Sequence, residues 1–105
     1  MKKLFMALYE IKSNPKLFFG CIPPMTSLRA WIDGYIDARR EMDVDFEETY
    51  RLGGFQEFVA ERYNNLSVTR SWDSYIRFFS ASDEEAFNTF YRLLDEFLAQ
   101  QNQQP

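Results

Sequence analysis

The stretch from Ser82 to Leu98, SDEEAFNTFYRLLDEFL, carries every helix signal the chain offers, and its reading decides the fold. Ser82 and Glu85 form a capping-box pair: the hydroxyl accepts an orphan N–H of the first turn, and the carboxylate reaches back to the cap N–H. Asp83 and Glu84 put negative charge at the positive end of the helix dipole. At helical spacing Ala86, Phe87, Phe90, Leu93, Leu94, Phe97 and Leu98 share one face, with Glu85, Asn88, Arg92, Asp95 and Glu96 largely opposite. A face that wide and aromatic needs several partners. It predicts a core helix packed against others.

Working outward, Ser71 is positioned to cap a preceding helix in which Trp72, Tyr75, Ile76 and Phe79 line up one turn apart. Before it, FQEFVAERY sets Phe55, Phe58, Val59, Arg62 and Tyr63 on one face, after a break at Gly53-Gly54 and before Asn64-Asn65. Arg62 interrupts that apolar stripe. DVDFEETYRL, from Asp43 to Leu52, reads as a short helix with Asp45 and Glu48 as its cap pair.

Thr26 or Ser27 is placed to cap a long helix ending near Met42, with Leu28, Trp31, Ile32, Tyr35, Ile36 and Met42 on its apolar side. Arg39 falls on that side too, either snorkelling to the rim or pairing with a partly buried carboxylate. The first helix spans Lys2 to Ser13 on Leu4, Ala7, Leu8 and Ile11, and Asn14-Pro15 stops it. Between the two, PKLFFGCIPPMT has no helical period and reads as an ordered loop with an extended segment at Leu17 to Phe19. The terminal QQNQQP has no apolar anchor, so residues 99–105 are expected to fray. There is no internal repeat and no linker. The expected fold is all-α, an irregular bundle of five or six short helices around the C-terminal core helix, in a single domain over 1–105.

With 105 residues such a domain buries roughly two thirds of its unfolded surface without a metal or disulfide. Eleven Phe, six Tyr and two Trp make an aromatic core. The single cysteine, Cys21, cannot form an internal disulfide and reads as a small buried hydrophobe. MKKLFMAL resembles the start of a signal peptide, but Glu10 and Lys12 interrupt it and no small-residue cleavage site follows. The cytoplasm is the expected compartment.

Twelve basic against sixteen acidic side chains leave a net charge of −4 with no Lys/Arg cluster, which argues against a nucleic-acid binder. Histidine is absent, so Ser-His and Cys-His nucleophilic machinery is excluded, and so are most zinc sites. Carboxylate chemistry is the catalytic option that is left. Asp43-Val44-Asp45-Phe46-Glu47 alternates acids but lacks the glycine and closing glutamate of a calcium loop. No catalytic, cofactor or metal site is expected, and the reading is of a protein that is not an enzyme. Gly53-Gly54 is too short to cradle a phosphate, and Phe78-Phe79, with Arg70 and Arg77 nearby, reads as core rather than a base-stacking platform.

The densest chemical feature is the acidic run of Asp33, Asp37, Glu41, Asp43, Asp45, Glu47 and Glu48. Set against Arg39 and Arg40, it gives residues 33–48 a charge of −5. Asp33, Asp37 and Glu41 recur every four residues opposite the apolar face, a spacing at which like charges cost a few tenths of a kcal/mol per pair. Such a stripe is either an ordinary solvated face or a surface for an electropositive partner, and the seven acids are the candidate partner-binding residues.

NPKLFFGCIPPMTSLRAWIDGYIDARRE (14–41), GGFQEFVAERY (53–63), Ser71-Trp72, and DEEAF with FYRLLDEFL (83–98) together resemble small helical bacterial immunity proteins encoded beside polymorphic and contact-dependent growth-inhibition toxins. The similarity runs from about Leu4 to Leu98 on core aromatics and turn residues. Where that family more often has an arginine-proline-glycine run followed by tyrosine and glycine, this chain has Asn14 to Gly20, and Cys21 to Met25 reads as a divergent insertion. The resemblance implies a non-enzymatic protein that binds one cognate toxin domain, often a basic nuclease, and blocks its active site or substrate surface; the sequence leaves the oligomeric state open, with a monomer favoured. It supplies no catalytic residues to carry over. The alternative is a cytoplasmic adaptor or regulatory subunit that binds through an apolar groove.

Overall fold

A computed structural model describes residues 3–42, 53–63 and 70–103. Among them are six α-helices and no strand: α1 (Lys3–Ser13), α2 (Pro15–Phe19), α3 (Met25–Glu41), α4 (Phe55–Arg62), α5 (Trp72–Phe78) and α6 (Asp83–Gln103). The all-α bundle expected from periodicity is the observed architecture. The short helix expected within 43–52 lies outside the described residues.

α6 organises the core. Ala86, Phe87, Phe90, Leu93, Leu94 and Phe97 are buried as their spacing requires, and Leu98 is half-buried. Ser82 Oγ accepts the Glu85 N–H at 3.1 Å, the cap half of the predicted box. Tyr91 joins the buried face although its hydroxyl is polar, because that hydroxyl donates to the Leu8 carbonyl of α1. The helix continues to Gln103, through residues that sequence polarity predicts to fray.

Phe55, at the start of α4, is the hub of the aromatic core and is fully buried. Its ring meets Trp72, Phe90 and Phe97 edge-on at 5.3, 5.8 and 5.4 Å, the arrangement the ring quadrupole favours. α1 contributes Leu4, Phe5, Leu8 and Ile11, and α3 contributes Met25, Leu28 and Ile32. Arg62 interrupts the α4 stripe because it pairs with Glu96 of α6 while lying over the Phe58 ring.

Several local expectations are corrected. Leu17 to Phe19 is not extended: Pro15 opens α2, where its missing N–H costs nothing, and Gly20 closes it at φ 76° with its N–H on the Lys16 carbonyl. That turn leaves Cys21 exposed, so it is not a buried hydrophobe. α3 begins before Thr26 and Ser27, because Pro24, fixed in extended backbone, already accepts the N–H groups of Ser27 and Leu28. Met42, one residue past the end of α3, is 70% exposed rather than part of its core face. α5 stops at Phe78; Phe79 still donates its N–H to the Tyr75 carbonyl and stacks on Tyr63, but it lies past the edge of the bundle, so both rings are exposed instead of in the core.

Candidate functional site

Asp33, Asp37 and Glu41 lie along α3 on the side away from its buried Leu28 and Ile32, and all three are exposed. Helical periodicity therefore places the first three candidate acids in one stripe, as their spacing predicts. Asp43, Asp45, Glu47 and Glu48 lie outside the described residues.

The stripe is less negative than its acids alone imply. Arg29, one turn before Asp33, reaches its carboxylate at 3.4 Å, and Arg40 stands 3.7 Å from Asp37. Both pairs are solvent-exposed and are worth a few tenths of a kcal/mol. Among the described residues Glu41 has no ion-pair partner. Along the helix flank Trp31 stacks on Tyr35 at 5.4 Å, and the half-buried Arg39 sets its guanidinium over Tyr35 at 5.9 Å.

Arg29 also donates to Asp73 Oδ1 at 2.7 Å and lies over the Trp72 ring at 5.6 Å. Asp73, in the first turn of α5, is the buried charged residue of the described core, at 6% exposure. Burial alone pushes its carboxyl up. The hydrogen bonds from Arg29 and Ser71, with the guanidinium charge, outweigh that and hold it below the usual aspartate range. The hydrogen bond to Asp73 in turn raises the Arg29 guanidinium above its ordinary value. Sequence reading singled out neither residue. The spacing of Arg29 to Asp33 was visible as an i, i+4 pair, but nothing in the sequence brings Asp73 to the same guanidinium.

Between α3 and the starts of α4 and α5 these groups edge an open hollow of about 440 Å³, where Asp33, Asp37, Arg29 and Arg40 face Gln56 and Trp72. Its carboxylates and guanidinia are mixed and mutually paired, and no two acids converge in an enclosed space. Among the described residues no group of three or more acidic or sulfur ligands gathers for a metal. What this surface offers is charge presented on a rigid helix, which suits recognition.

Gln56 fixes the neighbouring corner. Its side-chain oxygen accepts the Trp72 N–H at 2.7 Å, and its amide donates to the Arg70 carbonyl. Ser71 occupies the N-cap position of α5, but its hydroxyl pairs with the Ser74 hydroxyl at 3.0 Å and caps no backbone N–H. The cap thus arrives from another helix.

Beyond Gln56 lies a second surface that sequence reading assigned to the core: Phe78 and Phe79, 65% and 58% exposed, beside the exposed Arg70 and Arg77. Its sequence signal was the FF pair at the very end of a short helix, where spacing fixes direction but not whether a neighbouring helix reaches far enough to cover the rings. No helix among the described residues is long and apolar enough to cross a membrane. Compared with family models, curated proteins and solved structures, the chain matches none.

Proposed function

We propose that this chain is an immunity-type protein that binds and neutralises a cognate bacterial toxin domain, a basic nuclease, by covering its active site or substrate surface. The observation that carries the reading is the exposed row of Asp33, Asp37 and Glu41 on a helix of 17 residues. Carboxylates spaced by one turn stand in for phosphates against a surface built to grip RNA or DNA, and they steer encounter at low salt. The resemblance of residues 4–98 to immunity proteins of polymorphic and contact-dependent systems supports the same reading. In it the protein acts as a cytoplasmic monomer, without catalysis or cofactor, and binds no nucleic acid itself.

The test is neutralisation. The toxin domain encoded beside the gene is expressed with and without this chain, while growth and a co-purifying complex are followed. Rescue with a complex whose affinity falls with salt, and at least about tenfold with Asp37→Lys and Glu41→Lys together, is the expected result. Rescue with unchanged affinity in that double variant removes the acidic stripe from the interface. No rescue and no complex, with both proteins folded, overturns the immunity reading.

A second reading, an adaptor or regulatory subunit binding through an apolar surface, draws on the exposed Phe78 and Phe79. It predicts binding that is insensitive to charge reversal on α3.

A further inference from the structure

Five aromatic and cationic groups form a continuous ladder from the core to the surface at the end of α5. Tyr75, buried, stacks on Tyr63 at 5.8 Å; Tyr63 stacks on Phe79 at 5.0 Å; Phe79 meets Phe78 edge-on at 5.0 Å; and the Arg70 guanidinium lies 5.0 Å over the Phe78 ring. The outer rings are thus held in place from within, although they are more than half exposed. Two rigid phenyls on a backbone fixed by helix packing lose little conformational freedom on binding, which distinguishes them from isolated surface apolar residues.

Beside the rings Arg70, Ser74, Arg77 and Phe78 line a hollow of about 260 Å³. Arg77 is steadied by donating to Ser74 Oγ at 3.2 Å. Both arginines are exposed, and among the described residues neither has a carboxylate partner. Among the described residues no acid lines this hollow, so two guanidinia flank it in a protein whose net charge is −4. Like charges around one space repel, and a carboxylate placed there relieves them while accepting charge-assisted, bidentate hydrogen bonds.

We propose that the corner formed by Arg70, Arg77, Phe78 and Phe79 is a docking surface for an acidic segment of a partner protein that also carries an apolar side chain. The carboxylate would sit between the guanidinia and the apolar group against the phenyl rings. Arginine and aromatic residues together are the composition of interface hot spots. A nucleic acid fits less well, because a strand needs a basic groove that tracks several phosphates, whereas two arginines stand here in a protein whose net charge is −4. This surface is separate from the α3 stripe and opposite to it in charge, so it stands or falls independently of the toxin reading.

The test uses the full chain, labelled for amide NMR, and the acetylated peptide Glu-Glu-Leu-Trp-Glu-Glu. A peptide in which lysine replaces every glutamate and an oligothymidylate of equal charge are the comparisons. The expected result is a Kd on the order of 1 mM or tighter, with shifts confined to the neighbourhood of Arg70, Ser74, Arg77, Phe78 and Phe79. Binding should weaken at least about tenfold in Arg70→Glu/Arg77→Glu and in Phe78→Ser/Phe79→Ser, and remain unchanged in Asp37→Lys/Glu41→Lys. All these side chains are exposed, and an unaltered amide spectrum elsewhere verifies the fold. Equal binding of the lysine peptide, equal or tighter binding of the oligothymidylate, or no shift at this corner up to about 5 mM peptide each overturns the proposal.

Discussion

Arg29 in α3 and Asp73 in α5 form an ion pair at 2.7 Å, with the Asp73 side chain 9% and the Arg29 side chain 34% exposed. The pair is asymmetric. Removing the arginine strands a buried carboxylate, whereas removing the aspartate leaves a guanidinium that still reaches Asp33 and water. Arg29→Ala is therefore expected to destabilise by about 2–3 kcal/mol, and Asp73→Ala by roughly 1–2 kcal/mol. Paired urea titrations measure the difference, and equal losses contradict the asymmetry.

The same pair sets an acid limit. The folded Asp73 carboxyl lies below its unfolded value near 4, so its contribution is complete above about pH 4 and is lost as pH falls towards and through the folded pKa. Below pH 4 the stability of the native chain should fall more steeply than that of Asp73→Asn. Parallel slopes in the two proteins assign the acid loss to other groups.

At the alkaline end Tyr91, whose hydroxyl is buried on the Leu8 carbonyl, is one of the groups that matter, beside Tyr9, whose phenol is raised by desolvation and by its hydrogen bond to Asp95. Desolvation raises the Tyr91 pKa well above that of free tyrosine, with the nearby Tyr9 adding to the shift. A raised folded pKa contributes stability that is present below about pH 10 and lost as pH rises beyond it. Tyr91→Phe should cost about 1 kcal/mol at neutral pH and unfold later than the native chain as pH is raised, relative to its neutral stability. Phenolate absorbance and circular dichroism recorded together measure both.

Gln56 does for α5 what an N-cap serine usually does for its own helix. Gln56→Leu leaves the Trp72 N–H and the Arg70 carbonyl without their partner, at about 2 kcal/mol for two hydrogen bonds. Ser71→Ala should cost less, because the Ser71 hydroxyl caps no N–H and what it gives up is one of several hydrogen bonds to Asp73, which keeps Arg29. A larger loss at Ser71 than at Gln56 contradicts this assignment.

Two phenylalanines, one enclosed in the core and one at the surface, give a packing comparison. Phe55 is wholly enclosed by rings from α4, α5 and α6, so Phe55→Ala is expected to cost about 3–5 kcal/mol. Phe79, 58% exposed, should cost under about 1 kcal/mol on the same substitution. Thermal melts of the two variants decide, and similar losses place Phe79 in the core after all.

Sequence by itself determined the helical class and the buried face of α6, because side chains at three- and four-residue spacing share a face whatever surrounds them. It determined the exposed row of Asp33, Asp37 and Glu41 for the same reason, and the Ser82 cap because that bond spans one turn. Periodicity names a face but not how far neighbouring helices reach along it: Phe79, one turn past Tyr75 and stacked on the same Tyr63 ring, lies exposed at the rim, and Cys21 emerges behind the left-handed turn at Gly20. Tertiary structure alone decided that Arg29 serves Asp73 as well as Asp33, that Gln56 caps a helix not its own, and that Tyr91 is buried on a carbonyl of α1. Each of those bonds joins residues 16 to 83 positions apart, and local periodicity holds no information about which distant polar group will arrive to satisfy a buried one.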